Sequence, residues 1–239
     1  MRILVVNDDG IDSAGIHCLA SLASRLGEVW VAAPDSQCSA MSHRITLHSS
    51  IDVREEKDFY AEDARAYRIC GTPADCVKVA LEYLMPQKPD LVFSGINHGY
   101  NVGVDILYSG TIGAAMEALA NGIPAMAFSS ADNRDSRVPE HFLIPLVKEL
   151  VESPIGRHEI WNVNFPSGDV SEVKGILRRR RICRKSAYCT VYNPGKEREG
   201  WRELSVLSIP EVKAEEGSDL AAVLGGYISV GKVSSGVLM

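Results

Sequence analysis

The sequence predicts an α/β protein of three layers, a mostly parallel sheet with helices on both faces, followed by a hairpin-rich extension. Three observations predict it. Short β-branched runs alternate with stretches of helical spacing. The runs are apolar almost throughout, as strands buried on both faces must be. Glycine and proline punctuate their boundaries. The chain has 239 residues, 46% hydrophobic and 23% charged, which suits one main domain with a sizeable core and excludes a disordered chain.

RILVV and EVWVAA read as strands, and between them Ile16, Leu19, Ala23 and Leu26 recur at helical spacing until Gly27 stops the pattern, giving a βαβ unit. The stretch from Ile45 to Cys70 alternates weakly and reads as strands with a charged connection. Thr72 then caps a helix that Pro73 opens, with Val77, Ala80, Leu81 and Leu84 as its apolar stripe. DLVFS, residues 90–94, is a buried strand that leads into GINHGYNVGVDILYSGTIG, which has too many breakers for regular structure. A helix follows from Thr111 to Ala120, Gly122 ends it, and PAMAFSS is the next strand. Patterning changes after about Asn164. The basic run RRRRICRK and a turn at Asn193-Pro194-Gly195 point to hairpins, after which Ser218 caps a short helix and YISV returns as a strand. The expected division is a core over residues 1–166 and an extension over 167–239 that serves packing or association.

The formal charge is −6, which argues against a nucleic-acid-coating surface. No apolar run approaches a membrane span, and MRILVV lacks the basic and cleavage regions of a signal peptide, so the expected location is cytoplasmic. The six cysteines form no CxxC pair and read as free thiols rather than disulfides or zinc ligands.

Chemistry is expected where strands end. In NDDG, Asp8 and Asp9 stand side by side at the end of an apolar run, where two like charges call for a positive neighbour. Gly10 allows the turn that would let both converge on a hard divalent cation; a helix cap by either carboxylate is the plainer alternative. After DLVFS, the amides Asn97 and Asn101 stand among glycines and offer neutral oxygens, with Asn101 a candidate for binding the phosphate or substrate. Ser109, Gly110 and Thr111 open a helix whose N–H groups and dipole favour a phosphate, although Ser109 also reads as an ordinary N-cap. His43 and His98 lie near these loops as possible general acids, with a hydrogen-bonded loop histidine the plainer reading. Arg178 to Arg181 read as a solvated edge or a subunit contact. Tyr100 or Tyr108 could hold a nucleobase.

The blocks NDDGIDSAGI, APDSQCSAMSHRITL, GTPADCV, PDLVFSGINHGYNVGVDILYSGTIGAAMEA and WNVNFP resemble, in order, those of the SurE family of metal-dependent nucleotidases, and cover residues 1 to 166 densely. The resemblance implies a Rossmann-like core and a cytoplasmic phosphatase that forms dimers or tetramers. Nucleoside 5'- and 3'-monophosphates are the implied substrates, with short polyphosphate for some members. It also implies one divalent cation, Mg²⁺ or Mn²⁺, held by Asp8, Asp9, Ser39 and Asn97, and a phosphate at Ser109, Gly110 and Thr111. Ser39 comes from the resemblance alone, since a loop serine is usually a turn residue. The chain departs from the family pattern in having Ala40 where a glycine commonly follows the serine, Ala14 where a proline is common, and Gly231-Lys232-Val233 in place of Thr-Pro-Leu.

On this reading the cation activates water for attack on phosphorus while the Ser109–Thr111 segment stabilises developing charge. An aspartyl-phosphate route through Asp8 ranks second, because coordination ties up the lone pairs of that carboxylate. A metal- and nucleotide-sensing module without turnover is the alternative from another class. A dinucleotide-dependent oxidoreductase would need a G-x-G-x-x-G turn after the first strand, which NDDGIDSAG does not supply.

Overall fold

The computed structural model describes residues 1–61, 64–131, 137–210 and 213–236. Residues 62–63, within the stretch expected to form strands with a charged connection, lie outside the described residues.

The first strand, β1 (Arg2–Val6), is buried from Ile3 onward. Successive side chains leave it on opposite faces, and the two faces build two cores. Ile3 and Val5 join a cluster with Ile16, Leu19 and Ala23 of helix α1 (Ala14–Ser24), whereas Leu4 and Val6 join one with Cys76, Val77 and Ala115 on the other side. That split gives the expected three layers.

Strand β2 (Glu28–Pro34) pairs parallel with β1. The weakly alternating stretch supplies β3 (Val53–Glu55) and β4 (Arg65–Ile69), and β4 runs parallel to β2. Helix α2 (Pro73–Val79) starts as the sequence predicts, with a capping box between Thr72 and Asp75 and Pro73 in the first turn; it runs on as a π-helical turn, Ala80–Leu84.

Strand β5 (Leu91–His98) is longer than DLVFS alone. The ladder to β6 (Ala125–Ser130) shifts register between Ser94 and Asn97, then resumes with Asn97 opposite Ser129 and His98 opposite Ser130. The sheet thus absorbs Gly95 as an irregularity instead of ending there. Within the breaker-rich stretch, Gly103–Leu107 forms a 3-10 turn, and helix α3 (Gly110–Ala120) follows. Helix α4 (Arg137–Glu152), with Pro145 inside it, and strand β7 (Glu159–Phe165) complete the parallel part. Phe93 and Phe128 meet edge to face at 5.4 Å in the core, and each fully buried ring of this kind stabilises the fold by roughly 1.5–3 kcal/mol.

Beyond residue 166, two strands return to the main sheet. Strand β11 (Ile228–Ser234) pairs antiparallel with β7 and parallel with the short β8 (Ile176–Arg180). Among the described strands, β9 (Tyr188–Arg198) and β10 (Trp201–Pro210) stand apart, as a two-stranded arm. The arm turns at Glu199-Gly200 rather than at Asn193-Pro194-Gly195. Both Glu199 and Gly200 have positive φ, as a two-residue hairpin turn requires, and Pro194 is accommodated in the ladder opposite Leu204, beside a register shift. Helix α5 (Asp219–Leu224) carries the expected Ser218 cap.

The nine-stranded order is β3-β4-β2-β1-β5-β6-β7-β11-β8. Since β1 lies between β2 and β5, the winding reverses there, and the crevice beyond the carboxyl ends of β1 and β5 is where such sheets bind ligands.

Candidate metal and phosphate site

At the end of β1 the chain turns at Gly10, with φ at +95°. Asn7 holds the turn, its amide donating to the Gly10 carbonyl at 2.9 Å and to the Ser13 hydroxyl at 2.8 Å. Asp8 and Asp9 are placed differently by it. Asp8 is only 5% exposed and accepts a hydrogen bond from the Thr111 hydroxyl at Oδ1, 2.6 Å long. Asp9 is less buried, and its Oδ2 accepts from the backbone N–H of His98 at 2.8 Å, tying the end of β1 to the end of β5.

Burial pushes the Asp8 carboxyl up to about 6, against the opposing hydrogen bond from Thr111 and with the help of Asp9's charge. Burial also raises Asp9. No cationic side chain is hydrogen-bonded to Asp8 among the described residues. A buried carboxylate beside a second one, with no cation bonded to it, fits a divalent metal ion, and hydroxyl and amide oxygens nearby are the donors that a hard ion prefers. Among the described residues no group of three or more His, Cys, Asp or Glu forms a metal cluster; the candidate set has two carboxylates, and its other members are neutral.

Those neutral members sit as follows. Asn97 lies on β5 next to His98, and its amide nitrogen donates to the Gly99 carbonyl at 2.9 Å. Ser39 is exposed and follows Cys38, whose N–H donates to the Asp8 carbonyl at 2.7 Å. Ala40, directly after it, has φ at +56°, the left-handed conformation that glycine adopts without steric strain.

The opening of α3 closes the other side. Ser109 caps it, accepting from the Ile112 N–H at 3.1 Å, and by helix geometry the N–H groups of Gly110 and Thr111 have no partner inside the helix. Gly110 is needed for the close approach: a Cβ there would stand 2.9 Å from the Asp8 Cβ and 3.0 Å from its Oδ2. Asn101 lies deeper. Its N–H donates to Asn164 Oδ1 and its amide to the Ser129 hydroxyl, both at 2.8 Å, while Asn162 and Asn164 donate to its carbonyl. Its bonds therefore pin the loop that follows Asn97.

Sequence reasoning missed three contributors. Gln37 approaches Asp9 Oδ1 at 3.5 Å, with nothing in its loop to mark it. Asp219 sits in a helix that reads as peripheral, yet its Oδ2 accepts from Gly103 N at 2.9 Å and its Oδ1 from Cys183 N at 2.8 Å, joining the site loop to the chain that enters the arm. The Tyr188 hydroxyl, at the root of the arm, and the Asn97 amide nitrogen both lie about 4 Å from where a Gly99 Cβ would stand. Of the aromatic candidates, Tyr100 accepts from Ser167 N through its hydroxyl and Tyr108 is exposed. Arg178 pairs with Glu149, and Arg181 donates to the Glu216 carbonyl.

A parallel sheet with two carboxylates at its switch point and a capped helix facing them defines a Rossmann-like α/β protein with its candidate site at the carboxyl ends of β1 and β5. The family model described as "Survival protein SurE" matches residues 3–188. Relatives named "5'-nucleotidase SurE" are similar over nearly the whole chain. The one from Synechococcus sp. (strain JA-3-3Ab) is 37% identical over 96% of this chain and 90% of its own length. The one from Carboxydothermus hydrogenoformans is 42% identical over 96% and 89%. The crystal structure of the SurE protein from Aquifex aeolicus superposes with a TM-score of 0.82 at 36% identity, covering 98% of this chain and 93% of that one. The chain belongs to the SurE family.

Proposed function

We propose that this chain is a divalent-metal-dependent 5'-nucleotidase that hydrolyses nucleoside 5'-monophosphates to nucleoside and phosphate. The observation that carries the reading is the bond from Thr111 to Asp8 Oδ1, which sets the anion-favouring start of α3 directly against the acidic pair. The names of the relatives support the reaction class.

Asp8, Asp9, Ser39 and Asn97 would hold one Mg²⁺ or Mn²⁺ ion. Such an ion neutralises phosphoryl charge and makes water a better nucleophile. The protein's own share is positional. The first N–H groups of α3 and the Ser109 hydroxyl receive the phosphate oxygens and stabilise the charge that develops on them, while the Thr111 hydroxyl, bonded to Asp8, holds that cradle against the acidic pair. Asn101 fixes the loop between Asn97 and α3, so that both halves of the site keep one spacing. No described helix is long and apolar enough to cross a membrane, and cytoplasmic action on small nucleotides fits the acidic chain. The arm formed by β9 and β10 exposes Tyr192, Trp201, Leu204, Val206 and Leu207, which supports a homodimer or homotetramer.

The test is phosphate release from a panel of nucleoside monophosphates after chelation, with Mg²⁺ or Mn²⁺ then restored, for the intact chain and for Asp8→Asn. Release should require the metal and vanish in the variant. Release that survives chelation would overturn the metal dependence. Binding of metal and nucleotide with no release under any condition would give the site to sensing instead.

A further inference from the structure

His43 is one of two loop histidines whose part in the site the sequence leaves open. Its Nε2 lies 2.8 Å from Glu117 Oε2, two helical turns into α3. Glu117 is 8% exposed and also receives the Asn121 amide at 3.0 Å and Lys78 Nζ at 3.5 Å. The hydrogen bond from His43, against burial and with help from the Lys78 charge, holds the Glu117 carboxyl below its ordinary value, so it is an ionised acceptor at neutral pH.

The loop that carries Ser39 is bolted to the phosphate-facing segment at several points. Ser42 donates through its N–H to the Tyr108 carbonyl at 2.9 Å and through its hydroxyl to the Leu107 carbonyl at 2.8 Å. The Ser42 carbonyl also lies where a Gly113 Cβ would come within 2.2 Å, so loop and helix touch backbone to backbone. Further on, Thr72 donates to the Arg44 carbonyl at 2.6 Å. Between Ser42 and Arg44, His43 provides the side-chain link from this loop to the body of α3. Ala40 and Ser42 both hold positive φ, a conformation that persists only where the surroundings enforce it.

We propose that His43 is a positioning residue which, through Glu117, fixes the spacing between the Ser39 loop and the start of α3. This rests on the assignment of Ser39 and of the Ser109–Thr111 segment made above. His43 takes no part in proton transfer; it decides where the Ser39 hydroxyl stands relative to the phosphate cradle. Outer contacts of this kind typically change metal affinity or activity by about 10–100-fold when removed.

The experiment compares the intact chain with His43→Ala, His43→Gln, Glu117→Ala and the double variant His43→Ala/Glu117→Ala. Mn²⁺ binding is measured by calorimetric titration, thermal midpoint by unfolding, and kcat and KM by phosphate release. His43→Ala should bind Mn²⁺ about tenfold more weakly, and Glu117→Ala should weaken it to the same degree. The double variant should be no worse than either single one, because both remove the same link. His43→Gln, which still donates to Glu117, should recover most of the affinity. Unchanged Mn²⁺ binding in His43→Ala would overturn the proposal. So would additive losses in the double variant, or a lowered thermal midpoint with the metal affinity intact, since each marks ordinary packing. If the intact chain releases no phosphate at all, the nucleotidase reading falls, while the Mn²⁺ titration still decides the role of His43.

Discussion

The Thr111 hydroxyl donates to Asp8 Oδ1 at 2.6 Å, across 103 positions of sequence, and so joins the turn that follows β1 to the first turn of the facing helix. The bond serves both partners. It supports the ionised form of a carboxylate that burial alone would push towards neutrality, and it fixes the start of the helix against that carboxylate.

Thr111→Val keeps the shape of the side chain and removes the donor. It should lower kcat/KM for nucleoside monophosphates about 10²-fold, and leaving the Asp8 oxygen unpaired should cost about 1–3 kcal/mol of stability. Thr111→Ser should stay near the intact chain in both respects. Phosphate-release kinetics and urea unfolding read the two effects separately, and a valine variant with full activity would remove Thr111 from the site.

Ala40 sits at φ +56°, where a residue with a Cβ pays about 1–2 kcal/mol and glycine gives back about 0.5–1 of that as chain entropy. Ala40→Gly should therefore raise stability by about 0.5–1 kcal/mol. Ala40→Val should lower it. Urea midpoints decide, and a loss of stability in the glycine variant would contradict the strain.

Asp75 closes the cap of α2 and accepts three hydrogen bonds, from Thr46 N at 2.8 Å, Thr46 Oγ1 at 2.7 Å and Thr72 N at 2.9 Å. Burial acts to raise its pKa, but those donors outweigh it and the net shift is downward. A folded-state pKa below the unfolded value means the stabilisation is complete above the ordinary carboxylate range and is lost as pH falls through the lowered folded value. Asp75→Asn should cost about 2 kcal/mol at pH 7. Its deficit should shrink as the pH is taken below the carboxylate range, and a deficit that stayed constant with pH would show that the charge contributes nothing.

In the β9–β10 arm, Val206 is 61% and Leu207 50% exposed, although neighbours in a strand point to opposite faces. An isolated two-stranded ribbon is marginal in water, so an arm that is apolar on both faces fits one covered by another copy. Val206→Asp with Leu207→Asp should reduce the mass measured by light scattering while leaving the core's far-ultraviolet dichroism unchanged. An unaltered mass would show that the arm is not covered by another copy.

The parallel core was legible because its strands are buried on both faces and its helices are capped by local chemistry: Thr72 with Pro73, and Ser109 ahead of Gly110, announce their helices without tertiary help. The hairpin turn was not. Asn193-Pro194-Gly195 carries the stronger turn composition, yet Glu199-Gly200 holds the two positive φ angles, because pairing along the whole ribbon outweighed local preference. The continuation of β5 through Asn97 and His98 was hidden for a related reason, since a register shift beside Gly95 lets a breaker-rich sequence remain in the ladder. At the site, the adjacent carboxylates and the helix start stood out, whereas Asp219 could not, because its two acceptors serve backbone groups far away in sequence and leave no local pattern.

That carboxylate also sets an order of assembly. Gly103 leaves the ribosome 116 residues ahead of the Asp219 that accepts its N–H. A nascent chain that has finished β7 already holds Asp8, Asp9 and α3, but the loop between Asn97 and α3 still lacks this anchor. The cleft reaches its final form only when a segment made 116 residues later folds back onto that loop.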